Sequence, residues 1–264
     1  MQSEHQAFAQ SAPGQTPLQR LRSVLPQDTD AVLLTDPVHQ YYFTNFMFAD
    51  GYVAIGREAA YLFTDFRYIE AAENAMRHTP FTVQPFTAPQ KIAAFLHSSG
   101  VSRLSFEDAH LTVADLEKWK RHMSAAQITL TPIGDLISRL RRRKSPDEIE
   151  AIVTAQKFTD DAYLHILDYL RENAGHVTEK QVALELEFFM RQAGAEGLSF
   201  DVIAVSGDAS ALPHGVPRDC LLQPGFLTMD FGCKYRGYCS DMTRTVCLGA
   251  PDSEMERVYR TVLE

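Results

Sequence analysis

The 264-residue sequence predicts a mixed α/β (α+β) protein made of two domains. Between residues 17 and 144, short apolar runs alternate with segments of helical periodicity, which is typical of an α/β layer. After residue 145, two well-capped helices precede a β-hairpin over residues 226–247, so the second region has a different order of elements. Residues 1–16 are polar, and we expect them to form a loosely attached tail.

The first domain is predicted over residues 17–144 from the alternation of its elements. Strands are expected at residues 31–34, 52–55, 60–64, 81–85 and 103–107, and helices at residues 17–25, 65–72, 89–97 and 112–122. Asp65 and Thr112 have side chains suited to cap the helices that follow them. The basic run at residues 139–144 is interpreted as a solvated helix end and linker, which marks the domain boundary.

The second domain is predicted over residues 145–264. Ser145, followed by Pro146 and by Glu148 three residues on, forms a capping box, and Thr178 with Gln181 forms another. A strand at residues 200–206, a loop at 206–217 and the hairpin come next. A last helix begins at Ser253, with Met255, Val258, Tyr259 and Val262 as its expected buried side.

Composition and charge exclude several classes of function. The net charge of −9 argues against a nucleic-acid-binding role, because phosphate binding needs clustered positive charge. The first residues lack the basic and apolar regions of a signal peptide, and no apolar run approaches membrane-spanning length. We therefore expect a cytoplasmic protein that binds neither nucleic acid nor a membrane.

The hairpin carries a pair of carboxylates suited to metal chemistry. A turn at residues 234–237 gives a register in which Asp230 lies directly opposite Asp241. Facing residues have Cβ atoms roughly 4.5–5.5 Å apart, so the two like charges repel unless a cation lies between them. Divalent ions prefer such oxygen ligands, and a pair of ions can activate water. The same spacing also fits a half-exposed hairpin whose aspartates point to solvent.

His214 is a second candidate, because it lies in the constrained loop Ala211-Leu-Pro-His-Gly215 upstream of the aspartates. A lone histidine is usually structural or solvated. Near a metal-bound hydroxide, however, its imidazole could hydrogen-bond a substrate carbonyl or the developing oxyanion. Its meaning therefore depends on whether the fold brings it close to the hairpin.

Several segments resemble the pita-bread metallopeptidases, specifically their Xaa-Pro aminopeptidase and prolidase branch. The matching segments are Phe200-Asp-Val-Ile203, Pro213-His-Gly215, Asp230-Phe-Gly232 and Tyr238-Cys-Ser-Asp241-Met-Thr-Arg-Thr245. Residues 143–149 resemble the start of that catalytic domain, and residues 17–144 resemble the creatinase-type N-terminal domain that accompanies it. The resemblance implies a creatinase-type α/β domain followed by the first half of a pita-bread catalytic domain.

The resemblance also implies a role for each candidate residue. Asp230 would ligate one metal ion, Asp241 would bridge two, and His214 would help hold the scissile peptide and its tetrahedral intermediate. The implied cofactors are two divalent ions, most often manganese, with cobalt or zinc as alternatives. The implied reaction is hydrolysis of the bond between an N-terminal residue and a following proline. Such enzymes commonly form homo-oligomers, and we expect a dimer.

The sequence departs from the family in its last residues. The family has three further metal ligands, one His and two Glu, and another active-site His, all later in the chain. Here no His follows His214, and the only later glutamates are Glu254, Glu256 and Glu264, which match no family motif. We therefore expect the second half of the catalytic domain to be missing and this chain alone to be inactive, since two carboxylates complete only part of a coordination shell.

The sequence leaves three functions open. The first is an Xaa-Pro aminopeptidase lineage, which the retained aspartates and His214 favour. The second is a prolidase or a creatinase-like amidinohydrolase, because one fold and metal site host several substrates. The third is a non-catalytic pseudo-peptidase that serves as a binding or dimerisation module.

Overall fold

The computed structural model describes residues 14–86 and 88–264, so most of the predicted tail, residues 1–13, lies outside the described residues. The chain divides into two compact units, Met1–Arg143 and Lys144–Glu264. Both units mix helices and strands, which confirms the predicted α/β class. None of the helices in the described ranges combines the length and the apolar character needed to cross a membrane.

The N-terminal unit contains one six-stranded sheet with helices around it. Its strands are β1 Ala31–Leu34, β2 Gly51–Gly56, β3 Ala60–Thr64, β4 Phe81–Pro85, β5 Arg103–Phe106 and β6 Thr129–Pro132. Its helices are α1 Pro17–Val24, α2 Pro37–Thr44, α3 Ile69–Met76, α4 Pro89–Ser98, α5 Val113–Ala125 and α6 Leu136–Arg142. The strand order is β4-β3-β2-β1-β5-β6, with β1–β2 and β2–β3 antiparallel and the other pairs parallel.

The core of this unit lies on both faces of the sheet. All four residues of β1 are buried, as expected for a central strand covered on both faces. Leu34 and Val32 pack into one apolar cluster with Leu21, while Leu33 packs into another with Trp119. The continuous apolar run of β1 therefore predicted a buried strand correctly.

The N-terminal unit differs from the sequence prediction at the start of α3 and in two elements that were not predicted, helix α2 and strand β6. Helix α3 begins only at Ile69, and its N-cap residue Tyr68 makes no side-chain cap bond. The expected capping role of Asp65 is wrong, because Oδ1 of Asp65 instead accepts a hydrogen bond from the backbone N–H of Arg67 at 2.9 Å. Such a bond to the backbone two residues on stabilises a turn in place of a helix start. Thr112 does cap α5, through a 3.1 Å bond from the N–H of Asp115.

The C-terminal unit contains three helices and two small antiparallel sheets. Its helices are α7 Pro146–Asn173, α8 Glu179–Gln192 and α9 Ser253–Leu263. Its strands are β7 Gly197–Leu198, β8 Ile203–Ser206, β9 Gly225–Phe231, β10 Cys233–Tyr235, β11 Tyr238–Cys239 and β12 Met242–Leu248. The sheets have the orders β12-β9-β8 and β11-β10-β7. Both predicted capping boxes are present, at Ser145 and at Thr178.

Helix α9 differs from the prediction in its burial. None of its residues is buried, and Val262 is 82% exposed although it belongs to the predicted core-facing side. The helix lies close to the sheet at Tyr259, whose ring centroid is 6.3 Å from that of Phe226. Its apolar stripe therefore has no second surface to pack against within the part of the chain that the structure describes.

Candidate metal centre on the β-hairpin

The hairpin forms, but its register differs from the predicted one. Tyr235 pairs with Tyr238, so the loop consists of Arg236 and Gly237 alone. Both loop residues have positive φ, 47° and 73°, which is the geometry of a type I′ turn. The two central residues of the turn are thus Arg236 and Gly237, not Tyr235 and Arg236 as predicted, and the pairing is shifted by two residues.

The shift changes the relation between the two aspartates. Asp230 pairs with Thr243, so the prediction that it lies directly opposite Asp241 is wrong. A shift of two residues keeps every side chain on the same face of a strand, and Asp241 becomes the diagonal neighbour of Asp230. Asp241 itself lies between β11 and β12, so the two aspartates are not direct partners across the sheet.

The face that carries the aspartates is open to solvent. Asp241 is exposed and Asp230 is partly exposed, whereas their neighbours Phe231 and Met242 are buried in the core of the unit. The alternation of buried and open positions follows from the two-residue period of a strand. Both carboxylates therefore stay hydrated and accessible to a cation.

A close crossing of the two strands fixes the backbone between the aspartates. A Cβ atom on Gly232 would overlap the carbonyl oxygen of Ser240, so only glycine fits at this position. The Ser240 hydroxyl accepts a 3.0 Å bond from the N–H of Cys233 and lies 2.6 Å from Oγ1 of Thr159 on α7. Ser199 Oγ donates to the Ser240 carbonyl at 2.8 Å. These bonds attach the middle of the hairpin to the rest of the unit.

Thr243 is a site residue that the sequence analysis missed. Its hydroxyl donates a 2.8 Å hydrogen bond to Oδ1 of Asp230, its direct partner across the sheet. A hydrogen bond of this kind fixes the orientation of the carboxylate. The correct register alone would have identified Thr243, since facing residues are the ones whose side chains meet.

His214 lies on an exposed loop that follows β8 and a short 3₁₀ helix, Gly207–Ala211. The loop turns next to it, where the N–H of Gly215 donates to the carbonyl of Leu212 at 3.1 Å. Strand β8 is the sheet neighbour of β9, and its residue Ile203 pairs with Asp230. The loop that carries His214 therefore begins on the strand beside the carboxylates, although no hydrogen bond in the described ranges joins His214 to either aspartate.

A second residue missed from the sequence is Glu179, which begins α8 and is completely buried. Its carboxylate accepts hydrogen bonds from Ser206 and from Arg218, the two residues that flank the loop of His214. Burial alone would raise the pKa of Glu179, but the hydrogen bonds from Arg218 and Ser206 outweigh it and lower the pKa to about 2. The group is therefore a permanent anion at neutral pH.

The carboxylates of the hairpin are a suitable type of ligand for a divalent ion, but there are too few of them to complete its coordination shell. Carboxylate oxygens are preferred by manganese and magnesium, and they also bind zinc and cobalt. Asp230 and Asp241 supply such oxygens from one rigid ribbon. Across the ranges that the structure describes, no group of three or more His, Cys, Asp or Glu side chains is placed to hold a metal ion. The hairpin thus offers part of a coordination shell.

Comparison with protein families identifies both units. Residues 18–143 match the Creatinase/Prolidase N-terminal domain, and residues 150–264 match Metallopeptidase family M24. The uncharacterized peptidase YqhT of Bacillus subtilis is 37% identical over 249 residues, which are 94% of this chain and 69% of that protein. An uncharacterized peptidase of Staphylococcus aureus is 33% identical over 248 residues, covering 90% of this chain and 67% of that one.

Solved structures show the same architecture. The Xaa-Pro dipeptidase from Bacillus anthracis superposes with a TM-score of 0.85 at 35% identity, covering 94% of this chain and 68% of that one. The X-Pro aminopeptidase from Thermotoga maritima gives a TM-score of 0.79 at 29% identity, with 89% and 67% covered. The N-terminal domain of FACT complex subunit SPT16 from Eremothecium gossypii, at 15% identity and a TM-score of 0.66, shares the fold alone, with 98% and 71% covered.

The hairpin, the capped helices and the flanking α/β unit therefore define a metallopeptidase fold with an N-terminal accessory domain. The matched peptidases from Bacillus anthracis and Thermotoga maritima share this architecture. The chain is a member of Metallopeptidase family M24 that carries the Creatinase/Prolidase N-terminal domain. It spans 67–69% of the length of the relatives named from Bacillus and Staphylococcus.

Proposed function

We propose that this chain belongs to a lineage of metal-dependent peptidases that cleave the bond between an N-terminal residue and proline, and that it carries one part of their dinuclear metal centre. The observation that supports this most is the placement of Asp230 and Asp241 on one open face of a hairpin whose crossing is fixed by Gly232. We place the boundary between the two domains at residues 144–145.

Each residue of the centre has a defined task in this proposal. Asp230 and Asp241 would hold the divalent ions, and Thr243 orients the Asp230 carboxylate. Bound divalent ions, manganese before cobalt or zinc, would supply an activated water and neutralise developing negative charge. His214 then donates a hydrogen bond to the oxygen of the scissile carbonyl. The substrate is a peptide with proline at its second position, and the protein acts as a cytoplasmic dimer.

We infer that the 264-residue chain alone does not turn over such a peptide. Two carboxylates complete only part of the shell of a divalent ion, and affinity rises with the number and fixed geometry of the ligands. Similarity to both a dipeptidase and an aminopeptidase supports proline at the second position and leaves the length of the peptide open. A prolidase and a creatinase-like amidinohydrolase fit the same centre.

A non-catalytic binding or dimerisation module is the second candidate function. The absence of a three-donor cluster from the described residues favours it over a working enzyme. The two candidates predict different metal binding, because a module that has lost its chemistry has no reason to keep an ion at the hairpin.

The test is calorimetric titration of the purified chain with Mn²⁺. We expect weak binding that falls at least tenfold in Asp230→Asn and in Asp241→Asn. Asp168→Asn is the matched control, because Asp168 is 73% exposed on α7 and forms a surface ion pair with Arg171. Binding that neither hairpin variant changes would refute the centre, and tight binding of two ions would refute the non-catalytic module.

Hydrolysis of an Xaa-Pro peptide in the presence of Mn²⁺ tests the second part of the proposal. The full-length Xaa-Pro dipeptidase from Bacillus anthracis serves as the positive control. We expect no turnover above that of the Asp230→Asn variant. Turnover comparable to that of the positive control would contradict the inference that this chain alone is inactive.

A further inference from the structure

One buried carboxylate receives five hydrogen bonds from a loop that is distant in sequence. The Glu179 side chain has no exposed surface. It accepts bonds from the N–H of Ser206 at 2.7 Å and from its hydroxyl at 2.9 Å. It also accepts bonds from the backbone N–H of Arg218 and from Nε, both at 2.9 Å, and from Nη2 at 2.6 Å. This is the fork geometry in which an arginine binds a carboxylate most strongly.

The two partners of Glu179 are the two ends of one loop. Ser206 ends β8 and Arg218 follows the turn at Gly215, so the loop of His214 begins and ends at the same carboxylate. Nη2 of Arg218 also donates to the carbonyl of Ser206 at 3.1 Å, which joins the two ends directly. A surface loop of this length whose ends meet is an Ω-loop, and its shape depends on how those ends are held.

The interior of the loop leaves His214 little independent freedom. The N–H of Leu212 donates to the carbonyl of Ala209 at 3.0 Å, and the N–H of Gly215 donates to the carbonyl of Leu212 at 3.1 Å. A Cβ atom on Gly215 would lie 3.0 Å from Cγ1 of Val205, so the loop backbone packs closely on β8. With the interior held this way, the position of His214 follows from the position of the loop ends.

The role of Glu179 is not explained by its place at the start of a helix. The capping box of α8 uses the side chains of Thr178 and Gln181, which satisfy the helix end without it. A carboxylate in the first turn also interacts favourably with the helix dipole, but an exposed one would do this equally well. Burying an anion is costly unless hydrogen-bond donors surround it. Here all five donors belong to Ser206 and Arg218, the residues at the two ends of the loop.

We propose that Glu179, acting through Arg218, is a positioning residue that closes the loop at residues 206–218 and thereby sets where His214 stands beside β9. The proposal rests on the proposed function only in giving His214 a use in peptide hydrolysis. Closure of the loop is a property of the chain itself, and it is measured without metal or substrate.

The experiment is amide hydrogen exchange on the purified chain, comparing wild type with Glu179→Gln. Amides at residues 207–217 should exchange at least tenfold faster in the variant and approach the rate of an unprotected chain, while amides of α7 and β9, which exchange when the whole unit unfolds, should remain protected. The matched control is Glu187→Gln, which removes another glutamate of α8 that pairs with an arginine, Arg191, on the surface. This control should leave every segment unchanged.

The NMR signal of the His214 ring, assigned with His214→Gln, supplies a readout that general destabilisation would not move. It should shift or broaden in Glu179→Gln and stay in place in Glu187→Gln. Arg218→Lys keeps the positive charge but loses the bidentate contact with Glu179. The exchange rate of the loop amides in this variant should therefore lie between the rates in wild type and in Glu179→Gln. Arg218→Gln keeps the hydrogen bonds from Ser206 to Glu179. If Glu179→Gln does not fold, the exchange rates of the loop, α7 and β9 amides are compared with wild type in Arg218→Gln instead.

Two results would overturn the proposal. One is a folded variant in which residues 207–217 exchange at the wild-type rate. The other is a variant whose loop amides stay as strongly protected as those of α7 and β9, which would mean that the loop opens only when the whole unit unfolds. Failure of Mn²⁺ to bind at the hairpin would overturn the metal centre alone, because neither readout of loop closure depends on it.

Discussion

Acidification should destabilise the C-terminal unit through Glu179 in a defined pH range. The ordinary pKa of 4.5 is lowered to about 2 in the folded chain. A group whose folded pKa is lowered stabilises the fold above its unfolded pKa and loses this contribution as pH falls through the folded value. At 1.36 kcal/mol for each pKa unit, the contribution is about 3 kcal/mol at pH 7, and it declines between about pH 5 and pH 2.

The Glu179→Gln variant isolates this contribution. At pH 7 it should unfold with a free energy about 3 kcal/mol below that of wild type, because Arg218 loses its anion and a buried amide replaces a carboxylate. As pH falls from 5 to 3, wild type should lose stability faster than the variant, and the difference between them should shrink. Glu187→Gln should stay close to wild type throughout, since surface ion pairs contribute little.

The single tryptophan makes the assay specific to one unit. Trp119 lies in the N-terminal unit, so its emission follows that unit during urea unfolding. Far-UV circular dichroism follows both units, and the long helix α7 dominates the signal of the C-terminal one. In Glu179→Gln, the unfolding transition of the C-terminal unit, seen by circular dichroism alone, should move to lower urea concentration. The transition seen by Trp119 emission should stay in place. A difference from wild type that stays constant from pH 7 to pH 3, or an equal shift of the Trp119 transition, would refute the reasoning.

Three further substitutions test other parts of the structure. Gly232→Ala should lower Mn²⁺ affinity at least tenfold by calorimetry, because its Cβ would overlap Ser240, whereas Gly175→Ala, with open space around it, should not. Phe63→Ala should destabilise the N-terminal unit by about 3–5 kcal/mol, seen in the Trp119 unfolding transition, since Phe63 is 2% exposed. Ser145→Ala should cost about 1 kcal/mol, seen by circular dichroism and not by tryptophan emission. An unchanged midpoint in either unfolding experiment would contradict the corresponding packing or capping role.

Local signals in the sequence predicted the elements of the fold well. Four consecutive apolar residues marked β1, and the capping boxes at Ser145 and Thr178 marked the starts of α7 and α8. In each case the residues that stabilise the element lie within a few positions of one another. Asp65 was misassigned because the same side chain stabilises a helix start or a turn, and the backbone around Arg67 decides which.

The register of the hairpin could not be read from the sequence alone. Turns centred at different residues preserve the alternation of buried and open positions when they differ by a two-residue shift, so the pattern that identified the strands could not choose between them. The deciding feature is the positive φ of Arg236, a conformation rarely adopted by residues other than glycine, asparagine or aspartate. Both aspartates lie outside the buried core, and the residue opposite Asp230 is Thr243 and not Asp241.

Glu179 was missed for a different reason. Its partners Ser206 and Arg218 lie 27 and 39 residues further along the chain, so no local pattern connects them. The capping box beside it explained the segment sufficiently for the helix to be predicted. Buried charge of this kind becomes visible only when tertiary contacts bring distant donors together.

The diagonal placement of Asp230 and Asp241 has a consequence for how such a centre could be adjusted. Right-handed strand twist brings one diagonal of an antiparallel ribbon together and moves the other apart. We therefore expect the distance between the two carboxylates to depend on the local coiling of the ribbon at Gly232 and Ser240. If the proposed metal centre holds, substitutions at this crossing, or at Thr159, which contacts the Ser240 hydroxyl, should change that distance without changing either aspartate.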